Sequence, residues 1–285
     1  MIGIIGGSGL YQIDGLTEPV WTRVTTAWGD PSDDILTGTV GGAAVAFLPR
    51  HGRGHRIPPT DVNFRANIAA LKQLGVSQVI SLSAVGSLKA ELPPGTFVIV
   101  DQFVDRTFAR SKTFFGPGLV GHVSAADPVC SRMGAELEAA GRAVGLELVR
   151  GGTYLVMEGP QFSTRAESEL YRSWGMSVVG MTNMPEAKLA REAELCYATV
   201  AMVTDYDCWY PEHGNVSVDQ VVTVMAQNGE AARRLVAAAI PRLSSRPGRC
   251  PNRCDRALDG AIMTAPAARD PDLVARLRPI AGRVL

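Results

Sequence analysis

From Cys196 to Val203 the chain is a continuous run of apolar and β-branched residues, and this stretch restricts the fold more than any other. Such a run does not alternate a wet face with a dry one. It therefore reads as a strand covered on both sides, the kind found in parallel sheets flanked by helices. The run ends in Thr204-Asp205-Tyr206-Asp207-Cys208-Trp209. In open α/β sheets ligands gather at the carboxyl ends of strands, so Asp205 and Asp207 stand where a site would be. Taken alone, the same pair also reads as a solvated strand end closed by an Asx turn.

Similar signals recur along the chain. Ile2 to Ile5 reads as a short buried strand, Trp21 to Leu48 as hairpins turning at Gly29-Asp30-Pro31 and Gly41-Gly42, and Ser77 to Ala84 and Thr96 to Val100 as further strands. Phe64, Ile68, Leu71 and Leu74 recur at helical spacing with Gly75 as the stop, which predicts an amphipathic helix over Val62 to Leu74. Ser131 to Val144 and Arg165 to Trp174 read as helices, and Gly152 to Met157 and Ser177 to Met181 as strands. Pro185 and Glu186 suit a first helical turn, and a Val, Leu and Met stripe from Val216 onward marks a long packing helix. The polar loop Arg106 to Gly121 reads as flexible or interfacial.

This alternation predicts one three-layer α/β/α domain over residues 1–241, with a mixed, twisted central sheet. From Arg242 to Arg256 the composition shifts to Ser, Pro, Gly and Arg, which predicts a linker. Residues 242–285 are then expected to end in a short helical segment, packed on the same domain or on a neighbouring subunit.

Lys plus Arg and Asp plus Glu both number 28, so the formal charge is zero. That argues against a broad nucleic-acid or acidic-membrane footprint. The first ten residues lack a basic leader and are too short to span a bilayer, so the expected location is cytoplasmic. Five cysteines in a chain of this size do not suggest a disulfide framework. Cys196 and Cys208 read as core thiols. Cys250 and Cys254 flank Pro-Asn-Arg, a spacing that is neither C-x-x-C nor a zinc pair with partners nearby, and suits structural or redox-labile thiols alike.

Loops after predicted strands carry the unusual chemistry. Gly6-Gly7-Ser8-Gly9 reads either as a backbone nest for an anion or as a plain tight turn; it is not a dinucleotide fingerprint, since Gln12 falls where the third Gly belongs. Arg50 offers a planar fork for phosphate or carboxylate, and His51 beside it can add a charge-assisted bond. His51 and His55 are four apart, but Gly52 and Gly54 make a helix and hence a metal pair improbable, so no metal is expected. Ser83, Ala84 and Thr182 supply hydroxyl and backbone donors. Glu158-Gly159-Pro160-Gln161-Phe162-Ser163 combines a carboxylate, an aromatic and a hydroxyl, as a stacked heteroaromatic ring with polar edges would require, or else is a turn whose Phe plugs the core.

Five segments together resemble the trimeric purine nucleoside phosphorylases: Ile4 to Leu10, Arg50-His51-Gly52, Glu158 to Ser163, Met181-Thr182-Asn183-Met184-Pro185-Glu186 and Thr204 to Trp209. The resemblance covers nearly everything up to Ala239. It implies phosphate held by Ser8, Arg50, His51, Ser83, the Ala84 backbone and Thr182. It implies a nucleoside bounded by Phe162 and Met181, a base served by Ser163, Asp205 and Asp207, and His122 reaching a neighbouring subunit's site.

The implied reaction is phosphorolysis of S-methyl-5'-thioadenosine to adenine and 5-methylthioribose 1-phosphate, with inorganic phosphate as co-substrate and no cofactor. The implied assembly is a homotrimer or a dimer of trimers. An alternative substrate is methylthioinosine or another 6-oxopurine nucleoside, and an alternative of another class is a noncatalytic nucleotide-binding protein. Two carboxylates favour adenine, because an ionised carboxylate accepts from its amino group but meets only an acceptor at the oxo group of hypoxanthine or guanine.

Overall fold

The computed structural model describes residues 1–7, 10, 12–211, 218–245 and 248–285, the side chain of residue 220 apart. Its strands are β1 (Ile2–Gly6), β2 (Leu16–Thr22), β3 (Ile35–Val40), β4 (Ala43–Pro49), β5 (Gln78–Ser87), β6 (Phe97–Ile99), β7 (Gln102–Asp105), β8 (Leu148–Arg150), β9 (Thr153–Val156), β10 (Val178–Gly180) and β11 (Cys196–Asp205). Its helices are α1 (Phe64–Gln73), α2 (Ser131–Ala143), α3 (Arg165–Ser173), α4 (Asn183–Glu192), α5 (Val218–Ser244) and α6 (Pro271–Ala281).

All the strands join one mixed sheet, and β5 is its axis. The first part of β5 lies between β1 and β11, both parallel to it, while Gly86 and Ser87 at its end pair antiparallel with β10. Beyond β1 come β4, β3 and β2; beyond β11 come β6 and β8; β10, β9 and β7 form a separate arm. The β3–β4 hairpin turns through Gly41 and Gly42 with φ of 56° and 79°, a left-handed pair that glycine adopts without strain.

Side chains of β1 and β11 alternate between two cores. Ile5, Tyr197, Ala201 and Val203 face the side covered by α1, α4 and α6. Ile4, Ala198, Val200 and Met202 face α2 and α5. Burial on both faces explains why the run from Cys196 had no room for alternation, and gives the expected three-layer α/β/α arrangement.

Several local expectations need correction. The polar, half-exposed strands β7 and β8 were not anticipated. α5 continues to Ser244, through the start of the predicted linker, and its predicted first residues, Val216 and Ser217, lie outside the described residues. The loop from Arg106 is tied down: Arg110 is buried, and Glu192 accepts from Thr113 Oγ1 and the Phe114 amide, each at 2.7 Å. The C-terminal segment packs on its own chain. α6 contacts α1, Asp270 caps it by accepting from the Leu273 amide at 2.8 Å, and Leu258, Ala261 and Leu277 join the core. Among the described residues no helix is long and apolar enough to cross a membrane.

Candidate active site

The parallel strands β4, β1, β5 and β11 deliver their carboxyl ends to one edge of the sheet, and the candidate residues gather there. Arg50 follows β4 and donates its amide to Gly6 O, at the end of β1, at 2.9 Å. Ser83 and Ala84 lie on β5 opposite Ala201 and Met202 of β11, and Asp205 stands opposite Gly86. Because β10 runs antiparallel to β5, it returns Met181 and Thr182 toward Ser83, and Thr182 Oγ1 lies 2.9 Å from Ser83 Oγ. The Tyr154 hydroxyl sits 3.1 Å from the same Ser83 oxygen. Ser8 lies outside the described residues.

Arg50 departs from the expected open fork. Its Nε and Nη2 donate to the two carboxylate oxygens of Glu186 at 2.8 and 3.0 Å, Nη2 also reaches Ser81 Oγ at 2.7 Å, and Nη1 donates to Leu82 O at 2.9 Å. The two side chains are 2% and 0% exposed. A guanidinium has five N–H groups, so among the described residues one Nη1 proton remains outside these bonds. The bidentate face is thus turned inward to Glu186, which also accepts from the Ser81 and Tyr197 hydroxyls at 2.7 and 2.9 Å. Arg50 can offer an anion one N–H and its field, not the fork.

His51 also differs from expectation. Burial, followed by the charge of Arg50, depresses it to about 4, so at neutral pH it is uncharged and gives no charge-assisted bond. Its Nδ1 faces Ile57 O at 2.8 Å; a carbonyl only accepts, so Nδ1 carries the proton and Nε2 is an acceptor. The ring stacks on His55 with centroids 4.3 Å apart.

At the end of β11 the chain turns sharply, with Asp207 at a φ of 51°. Oδ1 of Asp205 accepts the Asp207 amide at 2.8 Å, and Oδ2 accepts from Thr204 Oγ1 at 2.7 Å. Oδ2 of Asp207 is buried with no hydrogen-bond partner among the described residues. Burial pushes both carboxyls up; the Thr204 hydroxyl and Asp207 amide oppose the rise at Asp205. At Asp207 the Ser168 hydroxyl is near enough to oppose it too, yet it forms no aligned bond, since Ser168 Oγ is itself buried without a partner among the described residues. Raised carboxyls with an unused acceptor, at a strand end, mark a place for chemistry.

Phe162 is exposed, Ser163 and Met181 are half-buried, and Cys208 Sγ bonds Ser163 O at 3.4 Å, tying the Phe162 loop to the Asp207 turn. The Glu158 carboxylate does not share that loop's expected role. Burial would raise it, but bonds from Thr60, Phe108, Ala109 and Arg110 hold it down at about 2. Arg110 is the residue the sequence did not single out: it donates to Glu158 Oε1 and to the carbonyls of Glu158, Met181 and Met184 at 2.6–2.9 Å. It therefore locks the Phe162 loop and the Met181 loop together. His122 is exposed, with its amide on Ala261 O at 2.8 Å. Among the described residues the single chain gives its side chain no hydrogen bond to the others.

The cysteines require a further correction. Cys250 and Cys254 do have partners nearby: with Cys130 and Cys196 they form one buried group whose sulfurs all lie within 4.8 Å of one another. Cys196 is therefore not an isolated core thiol. The group lies on the α2 and α5 side of the sheet.

A mixed α/β sheet whose strand ends assemble hydroxyl donors at one end of a site and two raised carboxyls at the other is the architecture of a nucleoside-cleaving phosphorylase. The family model described as the phosphorylase superfamily matches residues 1–241, and the chain belongs to that family. Among its relatives, the S-methyl-5'-thioadenosine phosphorylase of Cereibacter sphaeroides is 62% identical over 100% of this chain and 98% of its own. The protein of the same name from Rhodospirillum rubrum is 59% identical over 100% and 97%. The crystal structure of a methylthioadenosine phosphorylase from an antarctic soil metagenomic library superposes with a TM-score of 0.92 at 45% identity, covering 98% of each chain. A methylthioadenosine phosphorylase from Schistosoma mansoni, solved with adenine, gives 0.86 at 37%, covering 92% of this chain and 98% of that one.

Proposed function

We propose that this chain catalyses phosphorolysis of S-methyl-5'-thioadenosine, releasing adenine and 5-methylthioribose 1-phosphate. Its full-length relatives bear that activity in their names. The observation that carries the reading here is the Asp205–Asp207 turn, where two carboxyls are raised by burial and one buried oxygen has no donor among the described residues.

Cleavage of the glycosidic bond develops positive charge on the sugar and negative charge on the departing base, so catalysis needs an anion held on one side and a proton donor on the other. Asp205, whose carboxyl burial raises above the usual range, hydrogen-bonds the imidazole ring of the leaving purine or, in its protonated form, donates a proton to it. Asp207 Oδ2 takes the exocyclic amino group of adenine, a donor that supplies its missing bond. Ser163 assists at the base, while Phe162 and Met181 bound the nucleoside with a ring face and a thioether.

At the other end Ser83, the Ala84 backbone, Thr182, Ser8 and the remaining Arg50 N–H hold phosphate. His51 Nε2, the acceptor of a neutral ring, accepts a hydrogen bond from the P–OH of a monoprotonated phosphate, leaving other oxygens for attack. No cofactor enters these steps; phosphate is a co-substrate. The active form is a homotrimer in which His122 reaches a neighbouring site. Exposed Phe108, Val120 and Met263 support this, since Met263 donates its amide to Val120 O beside His122 and extends the apolar surface there. Five free thiols suit a reducing cytoplasm.

The test is adenine release from methylthioadenosine with and without phosphate, beside adenosine, inosine and methylthioinosine. Phosphate-dependent release is expected. No release overturns the proposal, and faster turnover of the 6-oxopurine nucleosides would reassign the substrate.

A further inference from the structure

The four clustered cysteines take no part in the reaction above, and three separate stretches of chain are needed to assemble them. Cys130 is the N-cap residue of α2, Cys196 is the first residue of β11, and Cys250 and Cys254 bracket a tight turn in the C-terminal segment. The turn closes with the Arg253 amide on Cys250 O at 2.9 Å and Arg253 at a φ of 53°, a left-handed kink that brings both cysteines to one place. Cys130 and Cys196 are brought together by the Cys130 amide on Tyr197 O at 2.8 Å. All four residues are at most 4% exposed.

Sulfur geometry separates the ways such a group can be used. The Cys130 and Cys250 sulfurs are 3.7 Å apart, well beyond the roughly 2.05 Å of a disulfide. A tetrahedral zinc with Zn–S of about 2.3 Å puts its sulfurs about 3.8 Å from one another. All the separations here are within 4.8 Å, so the group needs to contract only slightly onto one central ion. An all-thiolate tetrahedral set selects zinc or iron over harder cations.

The surroundings suit the charge. Each ligation exchanges an S–H proton for an S–metal bond, so loading a divalent ion onto four thiols releases four protons and leaves a dianionic centre. The N-terminus of α2, at Cys130, presents the positive end of a helix dipole. The Arg132 guanidinium borders Cys130, Cys196 and Cys250, and its Nε is buried without a partner among the described residues. Asn252 Oδ1 accepts from the Arg132 amide at 3.2 Å, which fixes the turn to the helix.

We propose that Cys130, Cys196, Cys250 and Cys254 form a structural tetrathiolate site for one zinc ion, which pins the C-terminal segment to the start of α2 and β11. The segment pinned there runs on to the loop of His122: Gly121 bridges Ile262, and the His122 amide bonds Ala261 O. The metal thus adds a cross-link at residues 250–254, between the end of α5 and the stretch whose Leu258, Ala261 and Leu277 join the core.

The experiment uses the full chain, purified without a metal-affinity tag and under reductant, with zinc and iron measured by elemental analysis and the intact mass taken in native and denaturing conditions. The expected result is one zinc per chain, released when an organomercurial titrates the thiols and lost in Cys250→Ser/Cys254→Ser. Stripping with a strong chelator should lower the thermal midpoint of the parent protein and leave that of the double variant unchanged. One iron per chain on the same cysteines would keep the site and change the ion. Two outcomes overturn the proposal: a parent chain holding no more metal than the double variant after incubation with zinc, or an intact mass short of the four hydrogens lost in forming two disulfides. The metal content and mass of the parent decide the matter even if the double variant does not fold.

Discussion

A methyl group on Gly86 would stand 2.9 Å from Oδ1 of Asp205. β11 slips its register against β5 between Val203 and Asp205, and that slip carries the Asp205 carboxyl across to Gly86. The same methyl would lie 3.3 Å from both Cβ and the amide of Asp207, so this one glycine leaves room for the whole turn. The requirement is one of space, because Gly86 is not among the glycines with positive φ.

Gly86→Ala is therefore expected to displace Asp205 while leaving the layers of the fold intact. Misplacing a catalytic group by a fraction of an ångström lowers kcat/KM for methylthioadenosine by about tenfold or more. A thermal midpoint close to the parent value, with activity reduced, is the expected pair of measurements; unchanged activity would mean that Asp205 takes no part.

Asp207→Asn isolates the amino-group contact. Asn tolerates the left-handed φ at this position, so the turn survives and only the acceptor pair is altered. Its amide can present a donor to an oxo group, and relative turnover should move from methylthioadenosine toward methylthioinosine. Asp205→Asn should shift preference in the same direction, because it too replaces a carboxyl with an amide donor. Equal ratios in parent and variants would remove both residues from base selection.

A pH profile tests Asp205 as the acid. Burial raises its carboxyl above the usual range, so the protonated form survives to higher pH than an exposed Asp would allow. Activity limited by this donor falls as pH rises through the raised value. The limb should be present in kcat for the parent and absent, at a lower plateau, in Asp205→Asn; the same limb in both would assign it to another group.

The strands that position these residues were legible where burial on two faces forced continuous apolar sequence, as in β1 and β11. β7 and β8 were not, because they are short, half-exposed and defined by pairing with β9 and β6 rather than by their own pattern. The site loops were visible as chemistry at strand ends, but the direction of each side chain was not. Nothing local at Arg50 shows that its fork turns to Glu186, 136 residues away. Arg110 sat in a loop whose glycines suggested mobility, and the four sulfurs meet only because α2, β11 and the tail converge. Tertiary pairing of this kind leaves no periodic trace in sequence.

The Arg50–Glu186 pair yields a test of anion binding. Glu186→Gln leaves a buried guanidinium without its counter-charge, and breaking such a pair costs about 3–5 kcal/mol. Phosphate can then act as the substitute anion. The variant should unfold at markedly lower denaturant in neutral buffer and gain more stability from added phosphate than the parent does. Equal stabilisation by phosphate in both would place the anion out of reach of Arg50.

Glu192 sets a dependence of stability on pH. Burial pushes its carboxyl up to about 7 from 4.5, against the bonds from the Phe114 amide and the Thr113 hydroxyl. Between those values the folded chain keeps a proton that the unfolded chain releases, so this group's contribution is fully present below pH 4.5 and is lost as pH rises through 7. The loss amounts to about 3 kcal/mol for a shift of this size. His51 works in the opposite sense: depressed to about 4, it costs stability as pH falls below 6.5. The informative quantity is therefore the difference between the parent and Glu192→Gln, measured by denaturant unfolding at intervals from pH 5 to 8. That difference should move against the parent as pH rises. A constant difference would mean that Glu192 is ionised in the folded chain and that the Thr113–Phe114 loop is held by a charged carboxylate.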